Sequence, residues 1–298
     1  MTRSADVFFW LYAKQNRVQL RNHRPFFFVE KEAPGTLVRK LVPPNAMMTK
    51  VVVHPDYRHL EDYVRDIPLR FHSLGKIIHK DRNVLRRDEM ADTALVIKSY
   101  GRIYLPNRIR YTYFYPSKAQ RAFDYAGVLL ENGFRTPRPI AYIECFSRGI
   151  LTDSFFISEY TDFQPLKTIR KLTSDEQTTL LEDLATFTYR LHQSQIYHGD
   201  YSIGNILYKK IGGRFEFSLV DNNRMKFGPV NFHRGIRTMG RLGLPAEHLV
   251  AIGKMYGRLW NVDEIVVMER LFHYQKSQRD SYLLKQSGKL LLRKLNPA

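Results

Sequence analysis

The stretch IYHGDYSIGNILYKKIGGRFEFSLVDNNRMKFG, residues 196–228, holds the polar residues from which the fold is predicted. Asp200 is followed five residues later by an amide, Asn205, and a second aspartate, Asp221, ends an apolar segment after a Gly-Gly turn. Phosphoryl transfer needs a carboxylate to orient and deprotonate the attacking hydroxyl, and oxygen ligands to hold magnesium against the phosphates. Asp200, Asn205 and Asp221 supply that set of groups.

The segments before this stretch are predicted to be rich in strands. Strand-like sequence runs from Val51 to Glu144 and is interrupted by one helix, SKAQRAFDYAGVLLENG, which stops at Gly133 with Pro137 close behind. The segment DSFFISEYTDF, residues 153–163, is predicted to be a buried strand that runs into a polar connector.

Beyond the connector the pattern changes to helices. Ser174 with Gln177 predicts a capping box at the start of a core helix that ends at His192. NILYKK and FEFSLVD flank Gly212 and Gly213 and predict a β-hairpin. The predicted class is α+β: a small β-rich lobe with one helix, and a larger helical lobe with one hairpin.

The composition is that of a folded protein in a reducing compartment. Of its 298 residues, 44% are hydrophobic and 13% aromatic, which is too apolar for a disordered chain. The single cysteine, Cys145, excludes an intrachain disulfide framework and a cysteine-based zinc site. The densest early apolar run, Val7 to Ala13, is shorter than the about 20 residues of a membrane span. We therefore expect a cytoplasmic protein.

The net charge of +18 predicts an anionic partner. Such a charge favours nucleic acid, an anionic bilayer face or a phosphorylated glycolipid, and a well-solvated basic surface is the alternative. No RNP, helix-turn-helix or finger pattern accompanies it, so no specific nucleic-acid partner is predicted. The basic end of the chain, residues 268–295, is compatible with an anionic membrane surface or with a last helix packed on its own lobe.

HGDYSIGNIL, residues 198–207, resembles the catalytic loop of the protein-kinase-like superfamily in its H-G-D-x-x-x-x-N form, and SLVDNNR resembles the DFG-type motif. The resemblance implies a two-lobed kinase-like fold that uses ATP and Mg²⁺. It implies that Asp200 is the catalytic base and that Asn205 and Asp221 are the magnesium ligands. His198 is expected to support the catalytic loop.

A kinase of this kind also needs a strand lysine that holds the α- and β-phosphates, braced by an acid from a neighbouring helix. TALVIKSYG supplies Lys98 within an apolar strand. The matching acid in the following helix would be Asp124, which is shorter than the glutamate of the family pattern.

The nucleotide-covering loop is poor in glycine. Only Gly75 stands in HSLGKIIHKDRN, where Lys76, Lys80 and Arg82 could compensate by charge or form a merely solvated strand face. FFISEYTDF resembles the hinge, and the resemblance implies that backbone groups of Glu159, Tyr160 and Thr161 bind adenine.

The wider pattern resembles the lipopolysaccharide kinase family of Kdo/WaaP and InaA-like type. The features are a strand pair ending in Arg82 and Asn83, the VIKSY strand, the helix-containing stretch SKAQRAFDYAGVLLENGFRTPRPIAYIE, the HGD loop and VDNNR, in that order. The similarity covers residues 50–232. It implies transfer of the γ-phosphoryl group of ATP to a hydroxyl of Kdo or heptose in the lipopolysaccharide inner core, with that glycolipid as partner and, as an option, peripheral attachment to the cytoplasmic face of the inner membrane.

The division of the chain follows from the same resemblance. Residues 1–46 carry little periodic pattern and are expected to be a poorly ordered N-terminal extension, with an upstream start codon or a docking basic arm as explanations left open. Recognisable strands are expected directly afterwards. Residues 47–160 are predicted to form the N-lobe, and residues 161–298 the C-lobe.

Three alternatives remain open at this stage. One is another phosphotransferase of the same fold that acts on a protein, as RIO-like kinases do, or on a small molecule. The second is a pseudokinase that binds without catalysis, although the joint presence of Lys98, Asp200, Asn205 and Asp221 argues against it. Nucleic-acid binding by charge alone is the third. The sequence leaves the oligomeric state and the acceptor hydroxyl open.

Overall fold

A computed structural model of the chain describes the backbone of residues 27–32, 36–41, 47–101 and 103–295, and the side chains from 48 to 287 apart from positions 102 and 285. The chain divides into two compact units, residues 1–46 and 47–298.

The described part of the first unit is an antiparallel hairpin of β1 (Phe27–Glu32) and β2 (Thr36–Leu41). No strand is predicted before residue 47, so the sequence prediction misses this hairpin. The overlooked signal is a Pro-Gly pair between two short segments that contain aromatic and β-branched residues, FFVEKE and TLVRKL. For residues 1–26, 33–35 and 42–46, the expectation that the extension is poorly ordered lies outside the described residues.

The second unit opens with a six-stranded antiparallel sheet. Its strands are β3 (Met47–Val53), β4 (Lys76–Lys80), β5 (Val84–Met90), β6 (Thr93–Ser99), β7 (Pro139–Ser147) and β8 (Ile150–Glu159). Their order across the sheet is β3-β7-β8-β6-β5-β4. Lys98 on β6 pairs with Leu85 of β5 on one side and with Phe156 of β8 on the other, so the lysine lies in the interior of the sheet.

Three helices accompany this sheet: α1 (Glu61–Arg70), α2 (Leu105–Tyr113) and α3 (Lys118–Glu131). The prediction of one helix is correct for α3, which Ser117 caps by accepting the amide of Gln120, and wrong in omitting the other two. The proline Pro68 inside α1 disguised that helix. No residue of α2 is buried, so this helix shows no core-facing periodicity in the sequence.

The two faces of the sheet are covered by different helices. Val64 and Ile67 of α1 lie in one core cluster with Leu95 and Ile97. Ala119, Ala122 and Phe123 of α3 lie in another cluster with Tyr100 and Tyr142. Because successive side chains of a strand point to opposite faces, burial of Ile97 under α1 turns Lys98 toward the face that α3 covers.

The rest of the unit is mainly helical. It contains β9 (Gln164–Pro165), α4 (Ser174–Gln193), β10 (Ile196–His198), β11 (Ile206–Ile211), β12 (Arg214–Leu219), β13 (Met225–Phe227), α5 (Phe232–Met239), α6 (Ala246–Trp260) and α7 (Glu264–Leu295). The short strands form two small sheets, β12-β11-β9 and β10-β13. Since β8 ends at residue 159 and β9 pairs with β11, the change of sheet falls at residues 160–163. We retain 47–160 and 161–298 as proposed lobes.

Two local predictions for this region have different outcomes. The hairpin is confirmed: β11 and β12 pair across Gly212 and Gly213, whose φ angles are +56° and +82°. The capping box is displaced by one residue. The hydroxyl of Thr173 accepts the amide of Glu176, and the carboxylate of Glu176 accepts the amide of Thr173, because Thr173 is the last extended residue before the helix.

Within its described side chains, the last helix, α7, is packed only toward its beginning. Val267 and Leu271 are buried, whereas every described side chain from residue 276 to residue 287 is exposed. No helix among the described residues combines the length and apolarity needed to cross a membrane.

We predict that Gly75→Ala destabilises the protein. Gly75 has a φ of +32°, and a Cβ at this position would collide with the carbonyl oxygen of Arg87 on the neighbouring strand. We expect the free energy of unfolding, measured by urea titration, to fall by at least about 2 kcal/mol.

The matched control is Gly127→Ala in the interior of α3, where the added Cβ meets open space. This variant is expected to gain about 0.5 to 1 kcal/mol from helix propensity. Equal unfolding free energies in the two variants would contradict the argument.

Candidate active site

The catalytic loop predicted from the sequence is held by a buried histidine. The amide of Asp200 donates to Nδ1 of His198 at 3.0 Å, and Nε2 of His198 lies 3.0 Å from the carbonyl oxygen of Val220. Because a carbonyl only accepts, Nε2 carries the ring proton and Nδ1 accepts. The prediction that His198 supports the loop is confirmed.

Asn205 closes the same loop from its other end. Its Nδ2 donates to the carbonyl oxygen of Asp200 at 2.9 Å, and its own carbonyl accepts the amide of Val220 at 3.0 Å. The loop is also tied to the following helices, since Arg241 donates to the carbonyl of Gly199 at 2.6 Å. These bonds fix Asp200 and Asn205 beside the end of β12.

Asp221 follows β12 in a left-handed backbone conformation, with φ of +60°. Its Oδ1 accepts from Nζ of Lys98 at 2.6 Å and from Nδ2 of Asn223 at 2.5 Å. Burial alone would raise the pKa of Asp221, but the ammonium of Lys98 outweighs it and the pKa lies below its ordinary value. The structure therefore brings Lys98 and Asp221 together as an ion pair of two largely buried groups.

Asp200 has a different partner from Asp221. Its Oδ2 lies 3.2 Å from a guanidinium nitrogen of Arg224, and the Asp200 side chain is 41% exposed. The carboxylate is therefore oriented by a cation while remaining open to solvent, as a group that must meet an acceptor hydroxyl requires.

Asp124 does not brace Lys98, and the prediction that it does is wrong. The ion pair that the described residues give Lys98 is with Asp221. Asp124 instead interacts with Lys50, which is bonded at 3.1 Å to Glu144. Burial raises the pKa of Asp124 to about 6, partly opposed by Lys50. The α3 residues that lie in the electrostatic surroundings of Asp221 and Tyr100 are instead Lys118 and Arg121, which are cations nearer the start of the helix.

Lys118 and Arg121 extend a cluster of positive charge that the sequence analysis did not assign. Burial, together with repulsion from Arg224, Arg121 and Lys98, lowers the pKa of Lys118, while Asp221 partly opposes the shift. Nζ of Lys98 and Nζ of Lys118 lie 5.1 and 5.9 Å from the ring centroid of Tyr100. A surplus of positive charge beside one carboxylate is a site for an anion.

Gly75 lies away from the turn that the resemblance would place over the phosphates. It precedes β4, whereas the turn between β4 and β5 is formed by residues 81–83. Close packing on Arg87, rather than contact with phosphate, explains its glycine identity. A second glycine allows a similarly close packing of two backbone segments beside the turn. A Cβ on Gly101 would collide with the carbonyl oxygen of Arg82.

The predicted hinge lies at the end of β8. The amide of Glu159 donates to Arg138 at 2.9 Å and the amide of Tyr160 donates to Ala94 at 2.8 Å. These two amides therefore already donate hydrogen bonds within the protein. Of the three residues proposed to bind adenine, Thr161 is the one whose backbone amide remains as a candidate donor. The side chains have structural tasks: Glu159 accepts from the hydroxyl of Tyr57 at 2.5 Å, and the ring centroid of Tyr160 lies 4.0 Å from the guanidinium carbon of Arg87.

The donor set beside Asp221 fits a magnesium ion. Both recorded bonds of the Asp221 carboxylate fall on Oδ1, and Asn205 uses its nitrogen rather than its side-chain oxygen to close the loop. Oδ2 of Asp221 and Oδ1 of Asn205 thus accept no hydrogen bond from the described residues. Magnesium is commonly held by one or two protein oxygens together with substrate phosphates.

The sheet, the strand lysine, the loop that carries Asp200 and the aspartate after β12 have the arrangement of a protein-kinase-like fold. Residues 84–227, just under half of the chain, match the model of the lipopolysaccharide kinase (Kdo/WaaP) family. The resemblance predicted from the sequence is thereby confirmed over that range, which includes Lys98, Asp200, Asn205 and Asp221. The match supports a phosphotransferase role.

A solved structure described as WaaP in complex with acyl carrier protein matches the fold with a TM-score of 0.53 at 17% sequence identity. The match covers 76% of this chain and 98% of that one. It confirms the kinase-like fold class. No curated protein matches the chain.

We predict that acidification weakens the protein through His198. Burial lowers the pKa of His198 below its ordinary 6.5, so between these two values the unfolded chain binds a proton that the folded chain does not. The free energy of unfolding contributed by this group is therefore lost as the pH falls below about 6.5. Urea titrations at pH 8 and pH 5.5 should show a larger loss for the native protein than for His198→Gln.

His192, whose pKa burial lowers to about 3, and Asp124, whose raised pKa acts in the opposite sense, are common to both proteins. The difference between the two pH dependences therefore reports His198. An equally steep loss in the variant would show that this histidine is not held neutral.

Proposed function

We propose that this protein transfers the γ-phosphoryl group of ATP to a hydroxyl of Kdo or heptose in the lipopolysaccharide inner core. The observation that supports the proposal most is the convergence of Lys98, Asp200, Asn205 and Asp221 in one site. The family match over residues 84–227 supports the sugar acceptor. We further propose a cytoplasmic protein that works at the inner face of the inner membrane, where ATP and a lipid-anchored acceptor meet.

In this proposal Asp200 is the catalytic base. Its carboxylate, oriented by Arg224, accepts the proton of the attacking hydroxyl as the bond from that oxygen to the γ-phosphorus forms. The bond from the γ-phosphorus to the bridging oxygen breaks, and ADP leaves with that electron pair. The base needs only to be positioned and ionised, because the barrier is lowered mainly by orientation and by charge neutralisation.

Lys98 would hold the α- and β-phosphates, and Asn205 and Asp221 would hold magnesium through their unbonded oxygens. Magnesium, when bound, supplies neutralisation of the phosphate charge. The ion pair at 2.6 Å keeps the Lys98 ammonium at the edge of that ligand set and keeps the Asp221 carboxylate ionised.

Lys118 and Arg121 would add to the phosphate-binding charge. Protein kinases place an acid on this helix to position the strand lysine, whereas here Asp221 performs that positioning and the helix contributes cations. A site with this charge suits ATP together with an acceptor that is itself anionic, as a glycolipid that carries the carboxylate of Kdo is.

We predict that Asp200→Asn abolishes transfer while nucleotide binding persists. Labelled γ-phosphate from Mg-ATP would be followed onto a panel of lipid A–core acceptors that bear Kdo or heptose. Loss of the base should lower the rate by a factor of about 10² to 10⁴, with the affinity for ATP changed little because Asp200 contacts the acceptor. Asp280→Asn, an exposed aspartate on α7, is the matched control and should transfer at the native rate.

The acceptor panel also separates the alternatives. Label on a protein instead of any sugar would favour the RIO-like alternative, and label on a free small molecule would favour a small-molecule phosphotransferase. Equal rates for Asp200→Asn and the native protein would remove Asp200 from the role of base.

We predict that Lys118→Met raises the KM for ATP roughly tenfold, the effect of losing one charge-assisted hydrogen bond to phosphate. Methionine keeps most of the aliphatic length of the side chain, so packing beside Tyr100 is largely preserved. Steady-state kinetics with Lys254→Met, an exposed lysine on α6, supply the control for a general loss of positive charge. A tenfold change in both variants would indicate a long-range effect of net charge instead of a local phosphate contact.

A pseudokinase is the second candidate. It is favoured by one observation, the cations on α3 where an acid is expected. The labelling assay separates the two, because a binding module without catalysis would yield no labelled acceptor. Calorimetric titration of the native protein with Mg-ATP then shows whether such a module retains the nucleotide.

A further inference from the structure

Helix α2 contains no buried residue. It is nine residues long and lies between β6, which carries Lys98, and α3. It is attached to the sheet through Thr112, whose hydroxyl accepts the amide of Leu151 at 2.9 Å at the start of β8. Burial in the core of this chain therefore does not account for the presence of this helix.

The side chains that α2 and its flanks expose are apolar and large. We define the α2 surface by five exposed residues: Tyr104, Leu105, Ile109, Phe114 and Tyr115. Tyr104 is 78% exposed and Phe114 is 73% exposed. Leu105 and Ile109 are four residues apart and share one face of the helix. Single exposed apolar residues are ordinary, but a group of this size on one short segment marks an interaction surface.

The charged residues of the segment that carries the α2 surface have one sign, although Asp153 of β8 lines a pocket together with Arg108. From Thr93 to Phe123 the sequence has no aspartate or glutamate, and its cations are Lys98, Arg102, Arg108, Arg110, Lys118 and Arg121. The guanidinium carbon of Arg110 lies 4.4 Å from the ring centroid of Tyr115. Tyrosine, phenylalanine and leucine next to arginine form the composition of segments that lie in the head-group region of a bilayer.

We propose that the α2 surface docks the protein on an anionic lipid bilayer. The apolar side chains would enter the head-group boundary, and the arginines would bind lipid phosphates. A protein partner of matching shape would also cover apolar side chains, but the absence of any acid over 31 residues favours a uniformly anionic surface over a mixed one.

The α2 surface lies next to the candidate active site in the sequence. The role that we give it there rests on the proposed function. Tyr104 follows the strand of Lys98 after five residues, and Tyr115 precedes Lys118 of the cation cluster by three. The docking surface is thus joined at both ends to elements of the candidate active site. An acceptor anchored in the same bilayer would be presented beside that site.

The test is co-sedimentation of the full-length protein with vesicles in the absence of nucleotide. One set of vesicles contains phosphatidylglycerol and phosphatidylethanolamine, and the other contains phosphatidylcholine alone. The native protein is expected to bind the anionic vesicles and to be released by 0.5 M salt. The double variant Leu105→Ser with Phe114→Ser should bind at least tenfold more weakly, and Arg110→Gln roughly fivefold more weakly.

The matched controls are Ile265→Ser and Leu284→Ser on α7. Both side chains are apolar, more than 70% exposed and outside the α2 surface. Neither should change vesicle binding. Thermal unfolding of every variant establishes that the substituted proteins are folded.

Several outcomes would overturn the proposal. These are failure of the native protein to bind anionic vesicles, equal binding to phosphatidylcholine, unchanged binding by the α2 double variant, or a loss as large in Leu284→Ser, which would move the docking surface to the C-terminal helix. Because the assay contains no nucleotide and no acceptor, a failure of the proposed kinase activity would leave its result unaffected, and the two failures are distinguishable.

Discussion

The ion pair between Lys98 and Asp221 is the interaction on which the rest of the site depends. It joins the interior of the six-stranded sheet to the turn after β12, over a sequence separation of 123 residues. A largely buried ion pair adds little net stability, since both groups lose hydration, but removing either partner leaves an uncompensated charge. Removing the Asp221 carboxylate would destabilise this protein more than usual, because Lys98 would then be left among the cations Lys118, Arg121 and Arg224. The pair therefore constrains how sheet and catalytic loop meet.

The catalytic loop is built around this constraint by hydrogen bonds to the main chain. His198 bonds the amide of Asp200 with one ring nitrogen and the carbonyl before Asp221 with the other, so a single neutral imidazole relates the position of the proposed base to that of the proposed metal ligand. Asn205 repeats the connection with its side-chain and backbone groups. Both aspartates are consequently held through backbone groups, and Oδ2 of Asp221 accepts no hydrogen bond from the described residues.

The charge balance of the site separates it from the general kinase pattern. In that pattern a helix carboxylate positions the strand lysine, whereas here α3 turns Asp124 toward Lys50 and Glu144 and leaves its cations near Asp221. The same absence of acids continues through α2, where the cations adjoin exposed aromatic side chains. The candidate active site and the neighbouring α2 surface are thus both rich in cations. This charge suits the phosphates of a nucleotide at the site and those of lipids at the surface.

The sequence by itself determined the fold class and named the residues of the candidate site. The spacing of Asp200, Asn205 and Asp221 around a Gly-Gly hairpin is local, and local turns and strand ends are set by nearby residues. The sequence did not determine which acid partners Lys98, because that partner, Asp221, lies 123 residues away in the chain and the placement of α3 depends on its packing against Tyr100 and Tyr142. It also missed α1, disguised by Pro68, and α2, which has no buried face. The task of Gly75 was equally hidden, since its close contact is with a carbonyl on another strand. Tertiary structure decided these points because each depends on which surfaces pack together. A sequence reveals burial only where apolar residues recur at the period of a helix or a strand.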